Sequence, residues 1–190
     1  VKYVGIDAGK HGAIAKIDDA HAVLAMCDCP LDAHGEIDRF GILKMVGELI
    51  GREQDMCRVV IERVRAMPYA GKVAYVPGKR RACQGTEAAF ELGRSYEDWM
   101  MALAAYGVAP LEVPPQSWQS MMIGRELMRL QKGKAPSATV ACNRFPSARP
   151  LLYGPRGGII DGRADALLIA AYGAATLKSG HRSMSANPSA

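Results

Sequence analysis

The stretch that decides the fold is KYVGIDAGKHGAIAKI, residues 2–17. KYVGID (2–7) is a short apolar run that closes on an acid, and Gly9 and Gly12 mark a tight turn after it. AIAKI (13–17) follows at once, and AVLAM (22–26) comes next, with Asp18 and Asp19 at the connection. Connections this short make antiparallel neighbours, because a parallel return needs a crossover of a dozen or more residues. The chain therefore opens as a three-stranded antiparallel meander.

Working outward, residues 36–51 carry Ile37, Phe40, Leu43, Met45, Val46, Leu49 and Ile50 near a 3.6-residue period, which predicts a helix. RVVIE (58–62) reads as a fourth strand, again ending in an acid. A long loop, 63–84, is rich in Gly, Pro and basic residues. The helix predicted over 86–106 has Phe90, Leu92, Trp99, Met100, Leu103 and Tyr106 among its apolar positions. LEV (111–113) is a short strand stopped by Pro114 and Pro115. Helices at 116–122 and 137–145 flank a basic loop, 124–135. A Pro- and Gly-rich loop, 146–160, leads to a last helix from Asp161 to about 177. Residues 178–190 read as a disordered tail. Three antiparallel strands, two further parallel ones and helices on the faces make an α/β fold with a mixed five-stranded sheet. The whole of 1–177 reads as one domain.

Four carboxylates stand where packed elements would not choose them. Asp7 and Glu62 each end an apolar strand, and Asp161 and Asp165 open a helix that otherwise reads ALLIAAYGAA. Their i, i+4 spacing puts the last two on one helical face. Each acid has a plainer reading alone. Asp7 suits a turn before Gly9, Glu62 suits pairing with Arg63, and Asp161 suits a helix N-terminus. Asp165, a turn deeper, fits that last account less well. Acids in apolar surroundings are costly unless they are paired or bind a metal. Hard Mg²⁺ takes oxygen ligands, and two ions about 3.5–4 Å apart suit phosphodiester hydrolysis. Together the four acids point to a two-Mg²⁺ site.

Composition agrees with a nucleic-acid enzyme and excludes some other classes. At 49% apolar and 23% charged, the 190 residues can build a core. The net charge of +5 suits a polyanionic partner. Segment 63–81 alone holds Arg63, Arg65, Lys72, Lys79, Arg80 and Arg81 and no acid. Segment 124–135 adds Arg125, Arg129, Lys132 and Lys134 against Glu126. Phosphate contacts from such loops hold a duplex without reading its sequence. Tyr69 and Tyr75 stand among these cations, where they could stack on an unpaired base or pack the loop down. The five cysteines are odd in number and scattered, and no signal peptide or long apolar run is visible, so a reduced, cytoplasmic setting is expected. Cys27 and Cys29 lack the further ligands of a zinc site and read as small packed residues. His11 reads as a polar turn residue. Trp99, Met100 and Met101 read as core, with a dimer seam as the other reading.

These motifs, taken together, resemble the RuvC-like Holliday junction resolvases of the RNase H-like superfamily. GIDAGKHGAIA (5–15) resembles the first-strand motif and VVIERVRAMP (59–68) the second acidic motif. FELGRSYEDWMMALAAYGV (90–108) and EVPPQSWQSMM (112–122) resemble the long helix and the strand after it, and IDGRADALLIAAYG (160–173) the closing motif. The Met-Pro after the second acid and Gly93-Arg94 look most like phage-encoded members. The resemblance implies an RNase H-type sheet with an acidic tetrad in which Asp7 bridges two Mg²⁺ ions (Mn²⁺ substituting). Glu62 completes one ion site, and Asp161 and Asp165 the other. It also implies a homodimer that nicks symmetric strands of a four-way DNA junction, in a bacterial or phage-infected cell. Arg65 stands near the position where bacterial members carry a junction-wedging aromatic, and Tyr69 is the nearest aromatic. The rival reading is another RNase H-like nuclease, acting on flaps, replication intermediates or structured RNA. A junction binder without catalysis is disfavoured by the presence of all four acids. An actin-like ATP-binding fold shares the Asp-x-Gly turn but needs a second domain that 190 residues cannot supply.

Overall fold

A computed structural model describes residues 1–64, 86–124, 136–155 and 157–177. The sheet runs β3-β2-β1-β4-β5 and is built from β1 (Lys2–Asp7), β2 (Ala13–Asp18), β3 (Val23–Asp28), β4 (Cys57–Glu62) and β5 (Leu111–Val113). β1, β2 and β3 pair antiparallel, whereas β4 pairs parallel with both β1 and β5. This is the mixed five-stranded α/β sheet that the strand order predicts.

The helices are α1 (Arg39–Val46), α2 (Thr86–Ala105), α3 (Pro115–Met122), α4 (Pro136–Arg144) and α5 (Asp161–Leu177). Alternation along the strands divides two layers between them. Val4, Ile6, Ile14, Val59 and Ile61 face one side and cluster with Ile42 and Val46 of α1 and Trp99 and Leu103 of α2. Tyr3, Ala15, Ile17, Val60 and Val113 face the other and cluster with α3, α4 and α5. Both faces are covered, so the central strands are largely apolar on both, and the buried Lys16 of β2 donates to the Leu49 carbonyl and to Glu53.

Three local readings change. The helix predicted over 36–51 is α-helical only for Arg39–Val46 and widens into a π-helical turn at Gly47–Gly51. The ring of Tyr106 lies against Gly47 and Gly51 where side chains would otherwise stand. The loop predicted at 146–160 holds a 3₁₀ helix, Pro146–Leu152. Phe40 and Phe90, expected among inward positions, are 84% and 67% exposed. The basic residues Arg65, Lys72, Lys79, Arg80, Arg81, Arg125, Arg129, Lys132 and Lys134, with Tyr69, Tyr75 and the tail 178–190, lie outside the described residues. Among the described residues no helix is long and apolar enough to cross a membrane.

α5 is the central packing element. Leu167, Leu168 and Ile169 are fully buried, and each contributes about 1.5–3 kcal/mol. Small residues let it sit directly on the sheet. A Cβ at Gly5 of β1 would fall on the carbonyl of Ala166 and the amide of Ala170. A Cβ at Gly162 would fall on the backbone of His11 and Gly12. Backbone therefore meets backbone at both points, and the start of α5 lies against the β1–β2 turn.

Candidate active site

The strand period places the first two acids. Tyr3, Gly5 and Asp7 point to the α5 side of the sheet, as do Val60 and Glu62. β1 and β4 are parallel and in register through Ile6 and Ile61. Asp7 and Glu62 therefore end adjacent strands side by side, on one face. The contact of α5 with Gly5 brings Asp165, one residue before Ala166, to the same strand ends. Asp7, Glu62 and Asp165 are half-buried there, whereas Asp161, a turn earlier, is exposed at the rim.

Burial raises the pKa of all three inner acids. Asp7 is pushed up by burial, an effect partly offset by the Gly9 N–H donating to its Oδ1 at 3.4 Å. Glu62 is pushed up to about 7 by burial first, against the Trp118 indole N–H, with repulsion from Asp7 adding to the rise. Asp165 is also pushed up to about 7 by burial. A hydrogen bond from the Ser137 hydroxyl lowers it, and repulsion from Asp7, Glu62 and Asp161 raises it. No Lys or Arg among the described residues relieves Asp7 or Glu62.

Arg63 does not pair with Glu62. Its backbone N–H donates to the Val113 carbonyl at 2.8 Å, extending the β4–β5 ladder by one step. Alternation turns its side chain toward α2, where it lies near Tyr96, the hydroxyl donor to Glu112 at 2.6 Å. Its Nε is buried and has no hydrogen-bond partner. Trp99 is wholly buried, so the dimer-seam reading fails for it, whereas Met101 is 68% exposed. His11 is exposed on the turn beside Gly162. Cys29 is buried and Cys27 half-buried.

The donor set is all carboxylate, which suits a hard divalent cation and not a soft one. Among the described residues no three His, Cys, Asp or Glu side chains already enclose a common point. Asp7, Glu62 and Asp165 nonetheless lie near enough for repulsion to raise the pKa of Glu62 and of Asp165, and a bound cation would relieve it. Asp7, Glu62 and Asp165 fit an ion in chemistry and in electrostatics.

Four supporting side chains were not singled out from sequence. Trp118 Nε1 donates to Glu62 Oε2 at 2.5 Å. Ser137, buried at the start of α4, lies beside Asp165 and lowers its pKa. Ser95 of α2, buried, donates to the Ala8 carbonyl next to Asp7. Arg163 grips Asp28 of β3 through Nε at 2.5 Å and Nη2 at 2.7 Å, and donates from Nη1 to the Leu151 carbonyl at 2.7 Å. That fork fixes the first turn of α5 between its two acids. Only Trp118 carried a usable signal, since a buried indole N–H needs an acceptor.

No family model matches the sequence, and no curated protein does. Solved structures do. RuvC of Thermus thermophilus is 16% identical and superposes with a TM-score of 0.58, over 95% of this chain and 97% of that one. The same protein in complex with a Holliday junction substrate is 13% identical, with a TM-score of 0.59 over 96% of each chain. The chain has the RuvC fold. Within that fold, Asp7, Glu62 and Asp165 of this chain lie where the parallel strands β1 and β4 end and α5 begins, with Asp161 exposed at the rim.

Proposed function

We propose that the protein is a metal-dependent DNA endonuclease that resolves Holliday junctions. The observation that carries the reading is the meeting of Asp7, Glu62 and Asp165 at one end of a RuvC-type sheet, where no Lys or Arg among the described residues offsets the charge of Asp7 or Glu62. Asp7, central among them, would hold both of two Mg²⁺ ions, Glu62 would complete one site, and Asp161 and Asp165 the other. Ions held there supply an activated water and stabilise the leaving oxygen; Mn²⁺ substitutes at oxygen-rich sites of this kind. The chain's own work is to hold four carboxylates at fixed depth and to bring the phosphate to them.

The basic segments are tethered where that task needs them. The first leaves β4 directly after Glu62, beginning with Arg63. The second, 124–135, runs into Pro136 and Ser137, beside Asp165. Arg65, Lys72, Lys79, Arg80, Arg81, Arg125, Lys132 and Lys134 are the proposed phosphate contacts and Tyr69 the proposed base-stacking residue, whereas Arg63, expected among them, turns toward α2 with its Nε buried. Paired nicks require two sites, and a homodimer supplies them. Phe90, Glu97 and Met101 share the outward face of α2, and Phe40 is exposed on α1, which is tied to α2 by Arg39 and Asp98 at 3.0 Å. Apolar residues exposed on neighbouring helices are the natural seam. Products with 5′-phosphate and 3′-hydroxyl ends, and an origin among phage-encoded resolvases, complete the reading.

The test is cleavage of a labelled four-way DNA junction with Mg²⁺, beside linear duplex, flap and RNA–DNA hybrid. Paired symmetric nicks confined to the junction, with ligatable ends, are expected. Asp7→Asn is expected to bind the junction and not cleave it. Cleavage of flap or hybrid in preference to the junction would leave the metal site standing and move the activity to another RNase H-like nuclease.

A further inference from the structure

We propose that Trp118 is a positioning residue for Glu62: its indole N–H holds one carboxylate oxygen so that the other is left for a divalent ion. This rests on the reading of Glu62 as a metal ligand. Trp118 is wholly buried, and its Nε1 donates to Glu62 Oε2 at 2.5 Å. The sequence builds this donor rigidly. Pro114 is extended and Pro115 opens α3 at its first position, so the helix starts directly off the end of β5. Three residues on, Trp118 turns inward with Met122, one turn later, into the cluster that holds Val60, Val113 and Leu167. A ring packed this way is held in place by its neighbours.

Water could satisfy a carboxylate at an open strand end, but water exchanges and an indole locked in the core does not. Partners behind a metal ligand orient it, and losing one typically costs about 10–100-fold in metal affinity. Glu62 is a long side chain with freedom to lose, so it gains more from such a partner than the shorter Asp7. Ser137 serves Asp165 from α4 in the same manner. The acids that need orienting thus each have one buried donor from a different helix.

The test uses the full chain and Mn²⁺ alone, with no DNA present. Mn²⁺ binding is measured by titration calorimetry for wild type, W118F, E62Q and the double variant. W118F removes the donor and keeps a buried ring. It is expected to weaken Mn²⁺ binding about 10-fold and to have no further effect in the E62Q background. A merely structural role would give the same loss with and without Glu62. A second measurement covers the case in which W118F does not fold. The chain has two tryptophans, hence two indole N–H resonances in ¹⁵N-labelled protein. Trp99, on the opposite face of the sheet, is the internal reference. In E62Q the Trp118 resonance is expected to move upfield and that of Trp99 to stay. Equal Mn²⁺ affinity of W118F and wild type, or an unmoved Trp118 resonance in E62Q, overturns the role of Trp118. Wild-type protein that binds no Mn²⁺ overturns the metal reading beneath it.

Discussion

Asp165→Asn should make the metal-free protein more stable while ending its activity. Asp165 lies at about 7 against an ordinary value of 3.8. At ~1.4 kcal/mol per pH unit, its ionised form costs the folded state a ceiling of about 4 kcal/mol. Water reaching an open strand end reduces that penalty, and roughly half of it, about 2 kcal/mol, is expected to appear. The sign follows from the raised folded-state value. A carboxyl group whose folded pKa exceeds its unfolded one contributes stability that is complete below the unfolded value and lost as pH rises through the folded value. Wild type in EDTA should therefore weaken steadily from about pH 4 to about pH 8, through Asp165 and Glu62 together. Asp165→Asn removes one of the two, and its amide still lies beside Ser137. Urea unfolding followed by circular dichroism at both ends of that range reads the difference. The variant should exceed wild type by about 2 kcal/mol at the alkaline end and match it at the acid end. Mg²⁺ should then stabilise wild type more than the variant, which keeps all the carboxylates of only one of the two ion sites. Equal stability of the two proteins in EDTA near pH 8 would refute the claim that this carboxylate is held charged at a cost.

Gly5→Ala should be among the most damaging single substitutions, because the added methyl meets the backbone of α5 at Ala166 and Ala170 and not a side chain that can swing away. A loss of at least about 1–3 kcal/mol in urea unfolding is expected, with metal binding weakened as Asp165 is lifted from Asp7; unchanged stability would show that α5 does not rest on β1 there. Neutralising Arg80 and Arg81 together should weaken junction binding and lower the salt slope by roughly 2, at about 0.9 per phosphate contact. A binding isotherm series in increasing salt reads this, and an unchanged slope removes both residues from the DNA contact.

Much of the fold was legible because its signals are local. β1 and β4 each carry a short apolar run, 3–6 and 59–61, and Asp7 and Glu62 stand out because each ends such a run. The mixed topology followed from connection lengths alone. What escaped depends on partners distant in the chain. The π-helical turn at Gly47–Gly51 reflects the ring of Tyr106, which no pattern within the helix announces. Phe40 and Phe90 satisfied a helical period yet face outward, because periodicity finds a face without saying what covers it. The 3₁₀ helix at Pro146–Leu152 was hidden by its two prolines, which read as breakers although Pro146 sits at the tolerated first position and Pro150 falls inside the helix. The acids were found by position, but their supports were not. Nothing in the spacing ties residue 118 to 62, or 137 to 165.

The supports explain how the fold carries three half-buried carboxylates on one face. The charges oppose folding, as the raised values of Glu62 and Asp165 show. What offsets them is placed directly behind them. α5 carries Asp165 on the same helix as Leu167, Leu168 and Ile169, each wholly buried, so the helix cannot retreat from the strand ends without uncovering its apolar residues. The Arg163 fork to Asp28 and Leu151 resists rotation of its first turn. Ser95, Trp118 and Ser137 fix the β1 turn, Glu62 and Asp165 from α2, α3 and α4 in turn. Repulsion at the site is thus held in place by packing beside it, and a divalent cation is the one addition that relieves the first without disturbing the second. Metal binding and folding should then be strongly linked in this chain.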